Sequence, residues 1–102
     1  MRPQVSARRL PAARLGRNLR KVTVDVHYFG SVRETAGLKV EQLELSKGGT
    51  VDDLIAQVIM MHPGIAALRR LLRVIVNGTV VNHRLALRDG DMVAVVPPTA
   101  GG

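Results

Sequence analysis

A chain of 102 residues has room for one hydrophobic core; 46% of it is apolar but only Tyr28 and Phe29 are aromatic, so that core must be aliphatic. The absence of cysteine excludes disulfides, thiolate metal sites and thiol catalysis, and no apolar run approaches the roughly 20 residues needed to span a bilayer. The net charge of +7 belongs to one segment: Arg2, Arg8, Arg9, Arg14, Arg17, Arg20 and Lys21 crowd residues 1–21 without an acid, whereas residues 22–102 carry eight basic and eight acidic side chains.

That leader, MRPQVSARRLPAARLGRNLRK, has no periodic apolar face, and Pro3, Pro11 and Gly16 interrupt any helix. It reads first as a disordered extension or an over-long start. An organelle-type targeting peptide and an arm for nucleic acid or an anionic surface are the alternatives. It has no apolar h-region, so a secretory signal is not expected and a cytoplasmic protein is.

The pattern changes at Val22. VTVDVHYF alternates, with Val22, Val24, Val26 and Tyr28 on one face and Thr23, Asp25, His27 and Phe29 on the other, the signature of a strand. GSVRETAG (30–37) is a glycine-bounded connector with room for a helical turn. VEQLEL (40–45) reads as a second strand whose inward set is Val40, Leu43 and Leu45, with one slip of phase. Thr50 is a good N-cap with Asp53 at the capping-box position, and Val51, Leu54, Ile55, Val58 and Ile59 follow at helical spacing. Pro63 disfavours helical geometry at His62 and ends this helix. IAALRRLL (65–72) suits a second short helix. RVIVNG (73–78) is a strand running into an Asn-Gly turn, Thr79 to Val81 is its return, and Asp89-Gly90-Asp91 is a further turn. MVAVV (92–96) is almost wholly apolar, which points to a central strand buried on both faces or nearly so. The expected fold is therefore α+β, a mixed sheet of four to five strands with one main helix across it, the first and last strands adjacent and parallel in the middle.

The chain ends VPPTAGG. Pro97 and Pro98 cannot donate to a sheet, and they extend the chain stiffly away from the body. Thr99 and Ala100 are small, and Gly101 and Gly102 have no side chain. A tail of this kind can thread a narrow cleft and present a terminal carboxylate to another protein. A carboxylate is a poor electrophile until activated, most simply as a mixed anhydride with AMP. Gly48-Gly49-Thr50 lacks the lysine and spacing of a phosphate-binding loop, so a separate ATP-using enzyme has to do this. The activated carbonyl could then receive sulfur as a thiocarboxylate, which allows a sulfur-carrying role without a cysteine.

Two stretches carry a family resemblance. VDVHYFGSVRETAG resembles the opening strand and aromatic-x-x-x-R-E-x-x-G connector of the ubiquitin-like sulfur carriers, and LRDGDMVAVVPPTAGG resembles their closing strand and P-P-x-x-G-G end. The likeness is nearest to the small subunits of molybdopterin synthases and spans Val22 to Gly102. It implies a β-grasp fold, a domain over 22–96 and a flexible tail over 97–102. It implies that Gly102, preceded by Gly101, is adenylated by an ubiquitin-activating-type enzyme and thiocarboxylated. The tail, with Val96, Pro97, Pro98, Thr99 and Ala100 as partner-binding residues, would then enter a large catalytic subunit and deliver sulfur to a cyclic pterin phosphate, making the dithiolene of molybdopterin. The chain itself would be non-catalytic and hold no bound cofactor; ATP belongs to the activating enzyme. Val96 stands where family members often have an aromatic residue.

Other readings stay open beside this one: sulfur carriage for thiazole, cysteine or tRNA thiolation, a protein modifier joined to lysines through Gly102, or a binding module with an inert tail. His27, His62 and His83 show no ligand spacing, and no metal site is expected. His62 reads as a helix-end residue, His27 and His83 as surface positions, and Met60 and Met61 as helix packing. Arg33 and Glu34 suit a solvated turn, although they could touch a partner. Arg69, Arg70 and Arg73 fit a helix edge or a partner or nucleotide surface. Neither membrane nor nucleic-acid binding is expected of the domain.

Overall fold

The computed structural model describes residues 20–98; residues 1–19 of the leader and residues 99–102 of the tail lie outside the described residues. Strand β1 (Lys21–Tyr28) runs antiparallel to β2 (Val40–Ser46) and parallel to β5 (Met92–Val96). On its other side β5 is antiparallel to β3 (Arg73–Val76), which pairs in turn with the two-residue β4 (Thr79–Val80). The sheet order is β2-β1-β5-β3-β4, so the first and last strands are parallel neighbours in the middle, as their apolar patterning requires.

The connector after β1 forms two turns of helix, α1 (Gly30–Ala36), closed by Gly37 in the left-handed region at φ 81° with its N–H bonded to Arg33 O. Helix α2 (Val51–Met61) begins with a reciprocal capping box between Thr50 and Asp53. Asp52 and Asp53 also complement the positive end of its dipole. At the far end His62 caps α2, and a 3₁₀ helix (Pro63–Leu71) carries the chain to β3.

One face of the sheet is packed. Val22, Val24, Val26 and Tyr28 of β1, Val93 and Val95 of β5, and Val74 and Val76 of β3 meet Val51, Leu54, Ile55 and Val58 of α2, with Val32 and Ile65 closing the end. At about 1.5–3 kcal/mol for each fully buried aliphatic side chain, this β-branched layer is the main source of stability.

Two sequence expectations fail here. β5 is central, but it is not buried on both faces: Val93 and Val95 are covered, Ala94 and Val96 are half-buried, and Met92 is 51% exposed. In β2 the inward phase is unbroken and comprises Glu41, Leu43 and Leu45. Val40 stands opposite His27 on the open face, 46% exposed. A carboxylate at an inward position disguised the strand's phase.

Candidate functional site

The open face is a row of cross-strand neighbours. Val40 pairs with His27, His27 with Ala94, Ala94 with Ile75 and Ile75 with Val80. Residues that pair across strands share a face, so the row crosses all five strands. Val80 is 67% exposed. Next to it Met92 stands opposite Asp25, whose carboxylate accepts from Gln42 Nε2 at 2.9 Å, and on the other flank Val96 pairs with Arg73. The result is a mostly aliphatic row, interrupted by His27 and flanked by a polar pair and a guanidinium.

The patch runs into the root of the tail. Beyond the last β1–β5 residue pair, the Phe29 N–H donates to Val95 O at 3.2 Å. Pro97 then lies over Gly30: a Cβ at Gly30 would stand 3.0 Å from Pro97 Cγ and 3.5 Å from Cδ. Gly30 has φ +54°, a conformation that suits glycine. Pro97 and Pro98 are half-buried, so the prolines do not simply project from the body as their stiffness suggested. Of the sequence-derived candidates, Val96, Pro97 and Pro98 are brought together at this corner. Thr99, Ala100, Gly101 and Gly102 lie outside the described residues.

Behind the same end of β1 is a polar cluster that sequence reasoning missed. Fully buried Tyr28 donates from its hydroxyl to Glu41 Oε2 at 2.5 Å, and His62 Nε2 lies 2.7 Å from the same oxygen. The Tyr28 and His62 rings meet edge to face, with centroids 5.8 Å apart. One carboxylate therefore ties β1, β2 and the C-cap of α2 together beneath the tail root. Burial pushes the Tyr28 phenol far above its ordinary range, and the Glu41 hydrogen bond and negative charge push it further. The only available signal was a glutamate at an inward position in a strand register that begins one residue after Val40.

The remaining candidates are dispersed. His27 lies in the open-face row and His83 offers its backbone carbonyl to Asp52 N–H at 2.9 Å. Arg69 reaches Asp52 at 3.3 Å in an exposed pair, where such contacts contribute little. Arg70 and Arg73 are exposed. Met60 and Met61 are not packed as expected; Met60 is 82% exposed because it falls on the outward side of α2. Among the described residues no group of three or more His, Asp or Glu side chains could hold a metal, and no helix is long and apolar enough to cross a membrane.

A five-stranded mixed sheet grasping one long helix, with an apolar open face that leads into a proline-rooted Gly-Gly tail, defines a ubiquitin-like carrier of the β-grasp class. The ThiS family model matches residues 26–102, and the chain belongs to that family. It is 37% identical over 81 residues to the molybdopterin synthase sulfur carrier subunit of Chlamydomonas reinhardtii, covering 78% of this chain and 98% of that one. It is 30% identical over 90 residues to small archaeal modifier protein 3 of Haloferax volcanii, covering 78% and 98%. Among solved structures, a Pyrococcus furiosus chain described as subunit 1 of molybdopterin converting factor superposes with a TM-score of 0.70 at 34% identity, covering 76% and 99%.

Proposed function

We propose that this chain is the sulfur carrier of a molybdopterin synthase and that Gly102 is its reacting end. The observation that supports this best is the continuity of the uncovered apolar row with the tail root at Pro97. A partner that docks on Val40, Ala94, Ile75 and Val80 is brought against the place where the tail leaves the sheet. The chemistry balances without any side chain of this protein. The Gly102 carboxylate attacks the α-phosphorus of ATP on an activating enzyme, pyrophosphate leaves, and an acyl adenylate forms. A hydrosulfide-equivalent donor displaces AMP and leaves the thiocarboxylate. The tail then carries that sulfur into a large catalytic subunit, where it bonds to a carbon of a cyclic pterin phosphate as an oxygen substituent leaves that carbon; water cleaves the acyl–sulfur bond and restores the carboxylate, and a second thiocarboxylated chain supplies the other sulfur of the dithiolene. The chain's part is presentation: it supplies a docking face and a reactive terminus, it holds no cofactor of its own, and it works in the cytoplasm. The domain runs from Lys21, the first residue of β1 and one before the boundary the sequence suggested, to Val96, with the preceding residues as an extension and 97–102 as the tail.

The likeness to a small archaeal modifier protein favours a second reading, in which the same acyl adenylate passes to lysine amines of other proteins. ATP–pyrophosphate exchange on a cognate activating enzyme tests the shared step. Exchange that depends on the full chain and vanishes when Gly102 is deleted supports both readings; exchange indifferent to the deletion overturns both. Sulfur appearing in a dithiolene product, as against new isopeptide bonds, then separates them.

A further inference from the structure

The charges of the open face are unevenly placed. Strand register puts Lys21, Asp25, Glu44 and Arg73 on this face, with His27 in the row between its two flanks. Lys21 and Glu44 lie at the end of the sheet farthest from the tail root and carry opposite signs. Asp25 comes next, half-buried and bonded to Gln42 Nε2 at 2.9 Å. Arg73 stands alone on the other flank. It is exposed and pairs across the sheet with Val96, the residue from which the tail leaves. Among the described residues it makes no ion pair. Four residues along the strand and two strands across separate Arg73 from Asp25, which amounts to about 16 Å.

We propose that Arg73 and Asp25 fix which way round a partner seats on the open face, and that the partner presents a carboxylate to Arg73. The partner is a protein with an aliphatic docking surface, the large subunit in the molybdopterin synthase reading, and the proposal rests on that reading. The row, aliphatic apart from His27, discriminates poorly between a seat and the same seat turned end for end. The flanking charges do discriminate. Turned round, the partner's carboxylate meets Asp25, and like charges brought together in an interface suppress that seat. Seated the right way, it meets a planar guanidinium that offers two parallel donors, and it compensates a cation that docking would otherwise strip of water. That seat puts the partner's acid beside Val96, at the strand end that leads into the tail.

Binding of the full chain to the large subunit of the same organism's molybdopterin synthase, measured by calorimetry at about 0.05 M and about 0.5 M salt, tests this. Arg73→Glu is expected to raise Kd about tenfold or more at the lower salt and by less at the higher. Arg73→Lys keeps the charge and raises Kd about threefold or less. Lys47→Glu makes the same change in net charge in the turn after β2, at the far end of the sheet, and leaves Kd within about twofold. Asp25→Lys with Arg73→Glu exchanges the two signs and restores the net charge, yet its Kd stays at least as high as that of Arg73→Glu. Urea midpoints check that each variant is folded; should the exchanged pair unfold, the single variants and their salt dependence carry the test. An equal rise in Arg73→Glu and Lys47→Glu overturns the proposal, as does an exchanged pair that regains the original affinity, because net charge alone then governs binding. A rise that is the same at both salts marks lost packing and overturns it as well. An Arg73→Glu chain that binds normally overturns the proposal and leaves the carrier reading standing. An unsubstituted chain that does not bind the large subunit overturns both.

Discussion

Raising the pH tests the buried cluster through a group that reports on itself. Tyr28 is the only tyrosine and the chain has no tryptophan, so absorbance near 295 nm follows this one phenol. In the unfolded chain it ionises near its ordinary value of about 10. In the folded chain burial, then the Glu41 hydrogen bond, then the Glu41 charge hold the proton on. Below about pH 10 both states keep the proton and the full contribution to stability is present. Above it the unfolded state releases the proton while the folded state retains it. Stability then falls by about 1.4 kcal/mol per pH unit at the limiting slope, and by about 1 kcal/mol between pH 10 and 11. Urea unfolding followed by far-ultraviolet circular dichroism at pH 9, 10 and 11 measures the fall. Tyr28→Phe removes this part of it, so the variant's stability changes less over the same interval. Phenolate absorbance should appear together with loss of the dichroism signal. Absorbance that rises near pH 10 while the dichroism stays native would mean that folded Tyr28 ionises freely, and an equally steep fall in Tyr28→Phe would mean that another group sets the slope; either outcome contradicts a proton held by burial and Glu41.

Other outcomes follow from the same structure. At neutral pH Tyr28→Phe leaves Glu41 with His62 alone and costs about 1.5–3 kcal/mol, the usual range for a hydrogen bond to a charged group, read from the urea midpoint. Leu54→Ala empties a fully buried site under the sheet and costs about 2–5 kcal/mol in the same assay. Thr50→Ala breaks the capping box and costs about 1 kcal/mol. Val80→Lys with Met92→Lys, both at exposed positions and the second opposite Asp25, leaves stability within about 0.5 kcal/mol per site and lowers affinity for the proposed activating enzyme and large subunit about tenfold or more, measured by calorimetry.

Much of this fold is legible in the sequence because its core alternates cleanly. Val22, Val24, Val26 and Tyr28 mark β1, and the Thr50–Asp53 box marks the start of α2, by rules that act within a few residues. The failures occur where a residue answers to something distant. Glu41 sits at an inward position because Tyr28 and His62, 13 and 21 residues away, use its carboxylate, and no local rule sees that. Val40 and Met92 look like core because an apolar side chain in a strand reads the same whether its face is covered or open. The root of the candidate site was visible in Pro97 and Pro98, but its seat at Gly30 depends on a contact between residues 67 positions apart.

The central claim is that Gly102 carries sulfur, and the intact mass of the protein tests it most directly. The chain is incubated with ATP, a sulfur donor and a cognate activating enzyme beside a variant lacking Gly102. The expected result is a gain equal to one oxygen replaced by one sulfur, present in the full chain and absent from the shortened one. An unchanged mass in the full chain, with an activating enzyme that thiocarboxylates its own carrier under the same conditions, contradicts it.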